Sequence, residues 1–218
     1  MGPRCEAYWP TRPDHPQRRF GRFLTYDKFS YFCHILDMPR HHRSLDREGM
    51  LSAFAALDAL LEQHTRLVVG GGAAMALAYH HPLTTSDVDG FTTPGSPPIA
   101  TLEHLAKRVA SELALSPDWL NAHFVTFTHV LPPDYALRLR PVFQGKFLRV
   151  DALGPEDLLV MKCFASRDKD RSHALALLRG GADASFVDDY LSKVIEQRLP
   201  GADRAADFFD DVREEADL

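Results

Sequence analysis

The stretch Val68–Phe91, VVGGGAAMALAYHHPLTTSDVDGF, decides how this chain is read. Arg66–Val69 forms a short predicted strand that runs into Gly70, Gly71 and Gly72. Ala73–Tyr79 is rich in small helix formers and opens a helix directly after the glycines. Glycines between a strand and a helix let the backbone approach an anion, and the exposed amides and helix dipole stabilise negative charge there. The turn is not a Walker A loop, because no Gly-Lys-Ser/Thr follows, and the full Gly-x-Gly-x-x-Gly spacing is missing. The second half of the stretch therefore has to carry the chemistry.

Ser86–Thr92 is predicted as a strand. Its period of two places Asp87 and Asp89 on one face and turns Val88 to the other. Two carboxylates that close repel, and each raises the other's pKa unless a cation sits between them. Mg²⁺, or Mn²⁺ in its place, takes carboxylate oxygens and keeps positions open for phosphate and water. A lone Asp-x-Asp is more often a solvated strand edge. Beside a phosphate-cradling turn, the pair supplies what nucleotidyl transfer requires.

Outward from this centre the chain is uneven. Residues 1–47 carry Pro3, Pro10, Pro13, Pro16 and Pro39, with a basic cluster at Arg18, Arg19 and Arg22 and aromatics of no clear period. They read either as a basic-aromatic arm for nucleic acid, or as a poorly ordered extension or translated upstream sequence with the working start at Met50. Pro and Arg at this density resist packing, which favours the extension. From Met50, Leu51, Phe54, Leu57, Leu60 and Leu61 recur at helical spacing. A loop at His80–Thr85 and a Pro/Gly loop at Pro94–Pro98 bracket the Asp-bearing strand, and Ala100–Leu113 is a second amphipathic helix. Ser116-Pro117-Asp118-Trp119 has a helix-start signature.

Ala136–Phe143 and Lys146–Asp151 read as two strands joined at Gln144-Gly145. Helices follow at Pro155–Ser166, Asp170–Leu178 and Ser185–Gln197, and the acidic tail Asp203–Leu218 is expected to fray. This order implies an α/β protein of the α+β type: a small mixed sheet flanked by helices, with a helical C-terminal part. The expected division is an arm at 1–47, a core at 48–152 and a helical region at 153–218 packing on that core.

Composition narrows the function classes. The 218 residues are 45% hydrophobic and 25% charged, ordinary for a globular chain, and the net charge of −5 gives no bulk positive field for nucleic acid. The three cysteines are widely spaced and form no Cys-x-x-Cys pair, so neither a zinc site nor a disulfide framework is implied. Cys163 lies in an apolar run and reads as a buried small hydrophobe. The adjacent pairs His41-His42 and His80-His81 lack the i, i+4 spacing of a helical zinc site. No apolar run reaches the length needed to span a bilayer and no secretory signal is visible, so no membrane role and a reduced, cytoplasmic setting are expected.

The Gly-Gly turn followed by Thr85-x-Asp87-x-Asp89 resembles the core motif of the polymerase-β-like nucleotidyltransferase superfamily. Leu148–Leu178, LRVDALGPEDLLVMKCFASRDKDRSHALALL, is similar to the C-terminal half of a bacterial branch that includes abortive-infection nucleotidyltransferase toxins. In that branch a strand precedes a PEDLL-x-x-K helix, and an Arg-x-Lys-Asp stretch opens the next. Trp119-Leu120-Asn121 also resembles those relatives. The likeness spans roughly residues 50–180.

The resemblance implies a nucleotidyltransferase fold and a Mg²⁺-dependent enzyme that moves NMP from an NTP to an RNA or protein acceptor. Its most concrete version is the toxin of a toxin–antitoxin pair, with tRNA as one acceptor and a cognate antitoxin as partner. Asp87 and Asp89 would bind metal. Gly70, Gly71 and Gly72 would hold the triphosphate, with Thr85 or Ser86 adding a hydroxyl. Lys162 would face the phosphates or the base, and Asp170 would complete the catalytic set. Lys162 also interrupts the apolar stretch Leu158–Phe164, where a lysine needs a partner or a role unless it snorkels outward. Asp151 is the best-placed third metal carboxylate, or else a cap for the turn that follows it. Two departures from the branch, Leu83 for an Arg and His173 for an Asp, leave open a catalytically degenerate module that binds a nucleotide or a protein.

Overall fold

The computed structural model describes residues 43–217. Helix α1 (Arg47–Asp58) starts where the Asp46 side chain accepts the Gly49 N–H at 2.7 Å, an N-cap that satisfies one of the free donors of the first turn. Met50, Phe54 and Leu57 lie on its buried face, as their spacing predicts. At its end the Asp58 carboxylate accepts the N–H groups of Lys146, Phe147 and Leu148 at 2.9, 2.7 and 2.6 Å. The helix is thus tied to a hairpin nearly ninety residues away in the sequence, a long-range link that no local pattern reveals.

That hairpin belongs to a five-stranded mixed sheet in the order β3-β2-β1-β5-β4. The central strand β1 (Thr65–Val69) pairs antiparallel with β2 (Val88–Thr92), with Val69 opposite Gly90. On its other side β1 runs parallel to β5 (Leu148–Ala152), with Val68 opposite Asp151. Strand β4 (Arg140–Gln144) pairs antiparallel with β5. Strand β3 is only Leu120–Asn121, parallel to β2, and sets Asn121 opposite Asp89. Between them run α2 (Gly71–Ala78) and α3 (Ile99–Leu113).

Helices α4 (Pro155–Ala165), α5 (Asp168–Arg179), α6 (Ala184–Glu196) and α7 (Ala202–Glu215) complete the chain. Helix α4 is buried over most of its surface, from Asp157 to Phe164, and packs against α5, α6 and α7. A helix covered on nearly every side needs an almost continuously apolar sequence, and LLVMKCF supplies it with one exception, Lys162. The α+β architecture expected from the order of elements is the one observed. Cys163 is fully buried, as read from its apolar run.

Three local expectations are overturned. Ser116–Trp119 forms a turn rather than a helix start. The Trp119 indole N–H donates to the Ala106 carbonyl at 2.9 Å under α3, and the Trp119 carbonyl accepts the Val88 N–H, so this segment is drawn into the core and toward the sheet. The strand expected from Ala136 begins only at Arg140, and Tyr135–Leu137 is a 3₁₀ turn. There Arg138 holds both Asp134 and the buried Asp157. The acidic tail is helix α7, which buries Ala202, Ala205, Phe209 and Val212. Those four positions have helical spacing, masked in composition by the acids between them.

The packed region also starts earlier than residue 48. Leu45 is fully buried, and its backbone N–H and C=O pair with Thr85 at 2.7 and 2.9 Å. The rest of the expected arm, residues 1–42, lies outside the described residues. No helix among the described residues is long and apolar enough to cross a membrane.

Candidate active site

The site grows from the end of β1. Gly70 donates its N–H to the Asp89 carbonyl at 3.1 Å, which closes the antiparallel pair, and the chain turns at once into α2. Gly71 takes a left-handed φ of +57°, and a Cβ there would lie 3.2 Å from Asp89 Oδ2. Glycine is demanded twice, by the backbone conformation and by the approach of the carboxylate.

Asp89 lies in β2, whereas Asp87 stands one residue before the strand. The Thr85 hydroxyl orients Asp87, donating to its carboxylate at 3.0 Å, and the Leu45 bridge fixes the Thr85 backbone. Asn121, opposite Asp89, reaches Asp87 Oδ2 with its amide at 3.5 Å and accepts the His123 N–H at 2.9 Å. His123 opens the 3₁₀ segment His123–Val130. As a result, Asp87, Asp89 and His123 each offer one donor atom, all within 4.8 Å of one another. Burial, and next the neighbouring Asp87 charge, push the Asp89 carboxyl above its ordinary value. Negative charge uncompensated in a partly dry place is what a divalent cation would neutralise, so the residues present fit one.

The facing wall comes from the C-terminal helices. Lys162, buried in α4, donates to Asp170 Oδ1 at 2.5 Å, and Arg167 holds Asp170 Oδ2 at 2.6 Å. Burial acts to raise the Asp170 pKa, but the Arg167 and Lys162 hydrogen bonds outweigh it and hold the carboxyl below its ordinary value. Two cleft lobes meet between these walls. The polar lobe, of about 370 Å³, is lined by Gly71, Gly72, Thr85, Asp87, Lys169 and His173 among others. The apolar lobe, of about 110 Å³, is lined by Phe124, Phe127, Leu158, Met161 and Ala165. Gly71, Asp89, His123, Lys162 and Arg167 border both.

Asp87, Asp89, Gly71, Gly72, Thr85 and Lys162 are therefore brought to one cleft, and Asp170 stands directly behind Lys162. Gly70 stands back from it, its N–H engaged by Asp89, and a Cβ there would lie 3.1 Å from the Phe124 ring. Ser86 is exposed and lines neither lobe. Asp151 is not among the converging donors. Its fully buried carboxylate is clamped by Arg66 and Arg149 at 2.5 and 3.0 Å. His173 lines the polar lobe; burial, then the Lys162 charge and His81, push its pKa down to about 4. A neutral ring thus stands where the sequence resemblance implies a carboxylate.

His123, Phe124 and Phe127 escape a reading of the sequence, since they lie in a stretch without period. The one available signal is Asn121, since a polar residue amid Trp119, Leu120 and Ala122 asks for a partner.

A family model described as "Nucleotidyltransferase of unknown function (DUF6036)" matches residues 48–179, which takes in the glycine turn, the aspartate pair and helices α4 and α5. No curated protein and no solved structure matches the chain. The chain belongs to this family of nucleotidyltransferases of unknown function.

Proposed function

We propose that the protein transfers a nucleoside monophosphate from an NTP to an acceptor hydroxyl, on RNA or on a protein, and releases pyrophosphate. The observation that carries this reading is the convergence of Asp87 and Asp89 beside the Gly71 turn, at the junction of a polar and an apolar lobe. The polar lobe suits a triphosphate and the apolar lobe a base, with Phe124 and Phe127 as stacking surfaces.

A Mg²⁺ or Mn²⁺ ion held by Asp87 and Asp89 would neutralise phosphate oxygens and lower the pKa of an acceptor hydroxyl. The chain's own residues do the rest. The backbone at Gly71 and Gly72 leaves room for phosphate at the start of α2. Arg167 and Lys169 supply positive charge on the opposite wall, and Thr85 keeps Asp87 turned inward. The acceptor oxygen attacks the α-phosphorus, the bond to the pyrophosphate oxygen breaks in line, and the hydroxyl proton passes to solvent. Lys162 acts mainly by fixing Asp170 and Arg167, because its ammonium is engaged by Asp170.

A toxin acting on tRNA in the cytoplasm, restrained by a cognate antitoxin, is the version that the sequence resemblance supports. The test is incubation of purified protein with labelled NTPs, Mg²⁺ or Mn²⁺, and total RNA or cell lysate. Label transfer that disappears in Asp87→Asn is the expected result; no Asp87-dependent transfer to any acceptor overturns it. The second reading, a degenerate nucleotide- or protein-binding module, is favoured by the sequestered Asp151 and by His173 in place of an acid. Nucleotide binding that is indifferent to metal, without turnover, would establish it.

A further inference from the structure

We infer that His123 is the third protein ligand of the cation site and biases it toward Mn²⁺ over Mg²⁺. The inference rests on the reading of Asp87 and Asp89 as a cation site, and it assigns a residue that neither motif nor resemblance points to. In place of a third carboxylate, which the Arg66–Asp151–Arg149 cluster removes from consideration, the fold delivers an imidazole.

The delivery is built into the sheet. The pairing of β3 with β2 puts Asn121 opposite Asp89, and the Asn121 carbonyl oxygen then takes the His123 backbone N–H at 2.9 Å. The same Asn121 side chain reaches Asp87 with its amide. One residue thus relates all three donors, whose ligating atoms already lie within 4.8 Å of each other. Donors on one octahedral cation at ~2.1 Å stand about 3 Å apart when adjacent. The closure still required is small, and the exposed His123 ring can turn to make it.

The choice of metal follows from the donor set. Mg²⁺ demands oxygen ligands and near-ideal octahedral geometry, and it dehydrates reluctantly. Imidazole nitrogen is a poor partner for it; Mn²⁺, a first-row transition ion, accepts a nitrogen donor more readily than Mg²⁺ does while still taking carboxylate, water and phosphate oxygen. Two carboxylates and one imidazole carry less negative charge than three carboxylates, which further reduces the advantage of the harder ion.

Nucleotide-free protein is titrated with Mn²⁺, following the loss of the free-ion paramagnetic resonance signal, and with Mg²⁺ in competition. Wild type should prefer Mn²⁺. His123→Ala should weaken Mn²⁺ binding by about tenfold or more with a much smaller effect on Mg²⁺, and His123→Asp should move the preference toward Mg²⁺. Asp151→Asn should leave the preference unchanged. His123 is exposed, so its variants should fold, and their circular dichroism is compared with wild type.

Undiminished Mn²⁺ binding in His123→Ala overturns the assignment, as does a wild-type preference for Mg²⁺. Binding is read without substrate, so a His123-dependent Mn²⁺ site in a protein that transfers no nucleotide would uphold this inference while defeating the proposed function.

Discussion

Lys162 Nζ donates to Asp170 Oδ1 across the junction of α4 and α5, and neither side chain is exposed by more than 4%. Asp170 is also held by Arg167, so among the described residues the acid has two cationic partners and the lysine one carboxylate. The pair fastens the α5 N-terminus, with Arg167 and Lys169, onto the wall that faces Asp89.

Removing one partner of a buried pair leaves the other charged and dry, at a cost of about 3–5 kcal/mol. Asp170→Asn strands the buried Lys162, whereas Lys162→Met leaves Asp170 its contact with the half-exposed Arg167. Urea unfolding should therefore show the larger loss for Asp170→Asn. The Asp170 pKa is lowered in the fold. Its contribution is thus fully present above the unfolded value of ~3.9 and is lost as pH falls through the lower folded value. The stability of wild type should decline through that acid window, and Asp170→Asn should remove that part of the decline.

Asp89 behaves in the opposite sense. Burial and Asp87 raise its pKa, so the folded state holds that proton more tightly than the unfolded chain does. Stability then falls as pH rises from the ordinary carboxyl value through the raised one, and the ionised group is a burden at neutral pH. Asp89→Asn should melt a few degrees higher than wild type at neutral pH, since ~1 kcal/mol moves a chain of this size by about 2–4 °C, while nucleotidyl transfer is lost. Mn²⁺ should raise the melting temperature of wild type and have little effect on the variant. Differential scanning fluorimetry with and without the ion checks both outcomes.

The residues of the site differ in how far the sequence discloses them. Asp89 was legible because a strand's period and a glycine turn are local patterns, and Lys162 because a charge inside an apolar helix is conspicuous. Asp151 illustrates the limit. Its strand and the neighbouring Arg149, two residues away on the same face, are local features, but Arg66 lies 85 residues away and nothing local couples it to Asp151. His123 was invisible for a related reason: it reaches the site through a two-residue strand, too short to leave a period. The helix α7 had its apolar spacing in plain view, and acidic composition obscured it.

The glycine turn gives a contrast between neighbours. Gly71→Ala places a side chain in the left-handed region, which costs about 1–2 kcal/mol, and its Cβ would press on Asp89 Oδ2 from 3.2 Å. At Gly72 φ is not left-handed, and an added Cβ would meet Leu83 and Thr85 only at 3.7 and 3.8 Å. Gly71→Ala should thus lower both melting temperature and kcat, while Gly72→Ala should leave the melting temperature near wild type. Steady-state transfer kinetics alongside thermal melts separate the two variants.

Phe127 tests the assignment of the apolar lobe to the base. Its ring is 37% exposed and lines that lobe with Phe124 and Met161, so it contributes less to the core than a fully buried aromatic would. Stacking of a base on an aromatic ring is worth about 1–3 kcal/mol. Phe127→Ala should therefore raise KM for the NTP by roughly fivefold to a hundredfold, with kcat less affected and the melting temperature within about a degree or two. Phe127→Tyr should retain the stack and hence the affinity. If Phe127→Ala instead binds nucleotide as wild type does, measured by calorimetry with a non-hydrolysable NTP, the base does not occupy this lobe.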